Sequence, residues 1–263
     1  MNRLLTGVGL LAVAFFLIFI ATPWVFALAA VLMSVLCYRE FATLVAAHGI
    51  ARPGWLGIAT GLSLLFWPQI TQFILNPIAV ITCLLAGMLI VALGRDNLNE
   101  ILPQAACEFF GAFYTFAPWR FSIDLRRESV HFLFFTLALS WVGDTAAYYV
   151  GRAWGRHKLA PIVSPGKSWE GAIASVLASV VFGLAYLSFF FPVLPWWKIT
   201  LVGLLGNVAG QLGDLAESAI KRGAGLKDSG NLLPGHGGIL DRVDSNLFAL
   251  PVVFTIYLLL LKT

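Results

Sequence analysis

The chain has 263 residues, 59% of them hydrophobic and 11% charged, with a formal net charge of +4. Soluble domains average about 25% charged residues, so an ordinary globular core is excluded. So is a disordered chain, which is polar and poor in aromatics. The charge suits an anionic membrane surface but is too small to argue for nucleic-acid binding.

Nine apolar segments follow one another: residues 4–21, 24–47, 55–75, 77–93, 101–119, 130–150, 171–191, 199–218 and 247–261. A spanning helix needs roughly 20 mostly apolar residues. The segments are continuously apolar rather than alternating, and only helices or closed barrels satisfy their backbone in lipid. The expected fold is therefore all-α, a polytopic transmembrane bundle of about nine spans, with strands disfavoured. The first segment follows Arg3 and leads through Pro23 and Trp24 straight into the second, so it is read as a retained span rather than a signal peptide. Cys37, Cys83 and Cys107 all sit within apolar runs with no CxxC spacing, which argues against zinc and against disulfides.

Orientation follows from the basic residues. With the N-terminus inside, Arg120, Arg126, Arg127, Lys198 and Lys262 fall outside, leaving twelve of the seventeen Lys and Arg inside. The cluster at 120–127 fits this assignment poorly. The same orientation puts two long polar loops, 151–170 and 219–245, together on the cytoplasmic face. Residues 1–128 then form a scaffold of helices, and residues 129–263 form a catalytic region around a cytoplasm-facing polar cavity.

Ionisable groups inside spans are costly and by default mark function. Asn207, Gln211, Asp214 and Ser218 recur at i, i+4, i+7 and i+11, which places them on one helix face. Ser140, Asp144 and Tyr148 form a second stripe, for which a structural alternative pairs Asp144 with Arg152. Glu108, one turn after Gln104, is a third intramembrane carboxylate without a chemical assignment. The stretch from Ser218 to Asp244 packs four cations, a histidine and three carboxylates into twenty-seven residues. Gly235, Gly237 and Gly238 permit close backbone approach to a ligand. Lysine and arginine suit phosphate, and aspartates supply the hard oxygens that Mg²⁺ prefers.

This stretch resembles the signature of the phosphatidate cytidylyltransferase family: Ser218, Lys221-Arg222, Lys227-Asp228, then His236-Gly237-Gly238, Asp241-Arg242 and Asp244 at the family's spacing. Trp141–Tyr148 and Ser164–Gly171 also resemble the family, although Gly166 and Ser168 stand where it more often carries Lys and Thr. The resemblance covers roughly the C-terminal half. It implies transfer of CMP from CTP to phosphatidate in a bacterial inner membrane, by a homodimer with its active site facing the cytoplasm. The cofactor implied is Mg²⁺ or Mn²⁺, with a monovalent cation as an optional second ion. Carried onto this chain, Asp214 and Asp241 are the first metal ligands, with Asp144 and Asp244 in support. Lys167, Lys221, Arg222, Lys227 and Arg242 hold phosphates, Ser218, Gly237 and Gly238 bind substrate, and His236 either donates to the leaving pyrophosphate or has a structural role. A CTP-dependent enzyme acting on an isoprenoid ether lipid or polyprenol stays open, as does a transporter, though the polar residues concentrate in one half rather than in repeats.

Overall fold

The computed structural model describes residues 2–67, 86–87, 98–232 and 237–261 and is almost entirely helical. Helix α1 (Asn2–Phe15) continues as a π-helical stretch, Phe16–Ile20, followed by α2 (Pro23–Ala47) and α3 (Trp55–Leu65). From residue 98 a 3₁₀ turn leads into α4 (Ile101–Glu128), α5 (Val130–Trp154), α6 (Trp169–Phe190), α7 (Trp196–Gly223) and α8 (Leu240–Ile256). A second π-helical stretch, Tyr257–Leu261, ends the described chain. Among the described residues five helices are long and apolar enough to cross a membrane: α2, α5, α6, α7 and Leu240–Leu261. The segment expected over 77–93 lies outside the described residues apart from 86–87.

Two differences from the sequence expectation have local causes. The 151–170 loop contains a small antiparallel hairpin, β1 (Lys158–Ala160) with β2 (Ser164–Ser168), which pairs Lys158 with Ser168 and Ala160 with Ser164. Backbone groups that leave a helix need partners, and the hairpin supplies them. Helix α4 runs nine residues past the expected 119, to Glu128, because Arg120 pairs with Asp124 one turn on. Ser129 then adopts an extended conformation and its side chain accepts from the Phe132 amide, starting α5.

Two arginines of the 120–127 cluster, and Lys198, have structural partners. Arg120 donates to the Leu65 carbonyl at the end of α3 at 3.3 Å. Arg126 donates to the carbonyls of Ile18 (3.0 Å) and Ala21 at the end of the first helix, and Lys198 donates to that of Leu260. All three meet helix C-termini, where unpaired carbonyls and the helix dipole favour a cation.

Helix α6 shows how these helices pack. Gly171, Ser175, Ser179, Gly183 and Leu187, each four residues apart, are buried, whereas Ile173, Leu177 and Val181 are exposed. Small residues let helix backbones approach, and large apolar ones face outward, as a lipid solvent allows. One apolar core gathers Ile18, Phe132, Phe135, Leu139, Leu187, Ile199 and Val253. A second joins α2, α4 and α8 through Cys37, Phe41, Leu44, Tyr114, Leu240 and Leu247, so the N-terminal helices pack directly on the helix that carries Asp241 and Asp244. Glu108 has a structural partner: it is 4% exposed and accepts from the Gly54 amide (3.1 Å), just before α3, and from Gln104 (3.2 Å).

Candidate active site

Helices α5, α6, α7 and α8 and strand β2 enclose a cavity of about 430 Å³. Ser140, Asp144, Lys167, Asn207, Gln211 and Asp214 form its polar wall, and Leu139, Ala147 and Ala249 contribute apolar wall. The expected stripe on α7 divides into two parts. Its first half is a closed network: Asn207 donates to Ser175 (2.9 Å) and Ser179 (2.8 Å), while Gln211 donates to Asn207 (2.6 Å) and to the Ala172 carbonyl (3.1 Å). Gly143 on α5 lies against this network, and a Cβ there would run into Ser175 and Asn207. These hydrogen bonds hold α6 against α7 and satisfy buried polar groups.

The second half carries charge. Asp214 pairs with Lys167 of β2 at 2.5 Å and accepts from Ser218 at 3.3 Å. Asp144 turns its carboxylate to the cavity without a hydrogen bond among the described residues. Arg152, its alternative partner by sequence, instead donates to Tyr148 at 2.9 Å. Asp144, Asp214 and Asp244 lie within electrostatic range of one another. Asp244 also accepts from the Ser245 amide at 2.7 Å.

A second cluster lies where α7 meets the signature loop. Lys221 is 8% exposed and sits between Asp241, at 2.5 Å, and Glu217, which is fully buried. Asp241 also accepts from the amides of Ser229 (3.0 Å) and Gly238 (2.8 Å). Both of its oxygens are thereby engaged, and its carboxylate organises the loop. Lys221, expected to meet phosphate, is a buried tie between two carboxylates. Gly237 has φ +77°, a conformation that favours glycine. At Gly238 a Cβ would strike Ser229 and the Glu40 carboxylate. Both glycines thus lie against internal carboxylates, and the Gly238 amide donates to Asp241. Gly238→Ala is expected to destabilise the protein by about 1–3 kcal/mol through overpacking, measurable as a lowered unfolding midpoint in detergent.

The remaining expected residues lie farther out. Arg222 is exposed and bonds the carbonyls of Val163 (3.4 Å) and Leu226 (3.1 Å), fastening α7 to the hairpin. Lys227 is exposed, as is Arg242 on the first turn of α8. His236 lies outside the described residues. Two carboxylates escaped the sequence reading. Glu217 falls on the same face as Asp214, three residues on, and the spacing could have found it. Glu40 of α2 accepts from the Ser229 hydroxyl and from the amides of Ile239 and Leu240; only its place inside an apolar run marked it.

The comparison with known families decides the relationship: a sequence model of the Cytidylyltransferase family matches residues 1–260. The chain belongs to the Cytidylyltransferase family. Over 187 residues it is 36% identical to the phosphatidate cytidylyltransferase of Staphylococcus aureus, covering 71% of this chain and 70% of that protein. It is 42% identical over 130 residues to the same-named protein of Staphylococcus saprophyticus, covering 49% of this chain and 50% of that one. With that of Staphylococcus haemolyticus it is 44% identical over 128 residues, 49% of each. The matched stretch thus spans about half the length of these last two relatives.

Proposed function

We propose that this protein is an integral inner-membrane enzyme of about nine spans that transfers CMP from CTP to phosphatidate, giving CDP-diacylglycerol and pyrophosphate. The observation that carries this reading is the cavity. It joins a charged wall, where Lys167 and Asp214 pair beside Asp144, to apolar walls between membrane helices. A lipid phosphate needs both surfaces at once. The relatives named phosphatidate cytidylyltransferase support the same assignment.

A lipid phosphate oxygen attacks the α-phosphorus of CTP, a new P–O–P linkage forms, and the bond to the β-phosphate breaks to release pyrophosphate. The phosphomonoester has a second pKa of about 6, so the nucleophile is already charged at neutral pH and needs no strong base. The difficulty is bringing two polyanions together, which fixed cations relieve. Lys167 on β2 and Arg152 on α5 border the cavity and meet the phosphates.

Among the described residues no group of three His, Cys, Asp or Glu is arranged to hold a metal by itself. That fits Mg²⁺, which takes one or two carboxylates and completes its shell with water and substrate phosphates. Asp144 and Asp214 face the cavity and would hold it, with Asp244 adding negative potential and Asp241 organising the loop. Bound there, Mg²⁺ or Mn²⁺ supplies charge neutralisation to the triphosphate. Lys221 orders the loop, and Arg222 fastens the hairpin that presents Lys167. A homodimer, implied by the family resemblance, completes the reading.

Detergent-purified protein given radiolabelled CTP and phosphatidate is expected to form labelled CDP-diacylglycerol and release pyrophosphate. Turnover only with an isoprenoid ether phosphatidate or a polyprenyl phosphate would reassign the acceptor, and no turnover with any lipid would refute the enzyme. Orientation has its own test. In a background lacking Cys37, Cys83 and Cys107, cysteines at Pro165 and Asp228, both exposed, are expected to react with an impermeant thiol reagent from the cytoplasmic side alone. Labelling from opposite faces would separate the hairpin from the signature loop and end the single-site reading.

A further inference from the structure

The start of α8 places Asp241 and Asp244 within its first turn and a half, yet it has no side-chain cap of its own, because the preceding residue is Ile239. The first amides of a helix have no partner within it. Here the amides of Ile239 and Leu240 are taken by a residue from the other half of the chain. Glu40 Oε1 accepts from the Ile239 amide at 3.0 Å, and Oε2 accepts from the Leu240 amide at 2.8 Å and from the Ser229 hydroxyl at 2.9 Å. A carboxylate at a helix N-terminus is also favoured by the dipole.

The socket is built around that carboxylate. A Cβ at Gly230 would stand 2.8 Å from Glu40 Oε1, and one at Gly238 would strike Oε2. Three small residues of the loop, Ser229, Gly230 and Gly238, are thus matched to one side chain on α2. Ser229 is held by both Asp241 and Glu40, while Asp241 takes the Gly238 amide and Glu40 those of Ile239 and Leu240.

We propose that Glu40 is a positioning residue for the nucleotidyl transfer. It sets the start of α8, and with it the place of Asp241, which meets Lys221, and of Asp244 three residues further along the same helix. It touches no reacting atom. The proposal rests on the function proposed above, and its test separates the two.

The test uses the full chain in detergent with Glu40→Gln and Glu40→Ala. Glutamine keeps the shape but turns an NH₂ group towards at least one donor, whichever way its amide faces. Hydrogen exchange of the amides in residues 237–244 is expected to quicken by about tenfold or more in Glu40→Ala and by less in Glu40→Gln. On the folded fraction, well below its unfolding temperature, kcat is expected to fall by about tenfold or more in Glu40→Ala, while KM for phosphatidate stays within about twofold. A purely structural role would lower the unfolding midpoint but leave kcat of the folded fraction unchanged, and that result overturns the proposal. Unchanged exchange at 237–244 overturns it as well. If the unmodified protein fails to use CTP, the proposed function falls, and the exchange measurement still judges the anchor. Should Glu40→Ala fail to fold, Ser229→Ala serves instead. It removes one of the three contacts and is expected to speed exchange in the same segment; no change there counts against the anchor.

Discussion

On the proposed function, exchange of Asp214 for Asn is expected to reduce CDP-diacylglycerol formation by about 10²–10³-fold, the scale on which removal of one preorganised electrostatic group acts. Asp214 is placed on the cavity wall, takes Lys167 at 2.5 Å, and lies within electrostatic range of Asp144 and Asp244. Asparagine keeps the size and loses the charge. The Lys167–Asp214 side chains are 27% and 28% exposed, so solvent screens the pair and its loss changes stability by only about 0–1 kcal/mol. The expected signature is therefore lost turnover with an unfolding midpoint close to that of the unmodified protein. Turnover of radiolabelled CTP and thermal unfolding in the same detergent measure both. Near-normal activity would remove Asp214 from the site and return the cavity to a packing defect between helices.

Lys221→Ala is expected to act through stability as well as activity, and here the tertiary structure changes what the sequence suggests. A lysine beside an arginine in a signature loop reads as a phosphate ligand whose loss spares the fold. Lys221 instead lies between fully buried Glu217 and Asp241. Removing it leaves two carboxylates facing each other away from water. Breaking a buried ion pair by deleting one partner costs about 3–5 kcal/mol, so a large fall in the unfolding midpoint is expected, together with loss of turnover as Asp241 releases the loop. Glu217→Gln in the same chain is expected to restore part of the stability by removing one uncompensated charge, a coupling that a double-mutant cycle measures. Arg222→Ala supplies the contrast. Its guanidinium is exposed and bonds two carbonyls, so its loss is expected to leave the midpoint nearly unchanged. Equal midpoints for Lys221→Ala and Arg222→Ala would contradict the buried triad.

Much of this protein is legible in its residues because the information is local. Continuous apolar runs report helices in lipid, since no water is present to satisfy an unpaired backbone. The expected starts and ends of α2, α5 and α6 agree with those observed to within a few residues for the same reason. The stripe from Asn207 to Ser218 was visible through its helical period, and it does line one face of α7. Positions 237 and 238 announced close approaches by being glycine, although glycine does not say to what.

What the residues could not state was which group meets which. Ser229 and Glu40 are 189 residues apart, and a contact at that separation leaves no period and no spacing to read. Asp241 and Lys221 look alike as ligands in the sequence, and only the structure shows them paired with each other and largely buried, which follows from how α2, α4, α7 and α8 pack. The sequence by itself determined a helical membrane protein with a charged signature loop, because helix formation in lipid and residue chemistry are local properties. The tertiary structure alone decided that Asp144, Lys167 and Asp214 share the cavity while Glu40, Glu217, Lys221 and Asp241 hold the loop. That division depends on distances between helices brought together by folding, and a side chain's charge acts only on what lies near it in space.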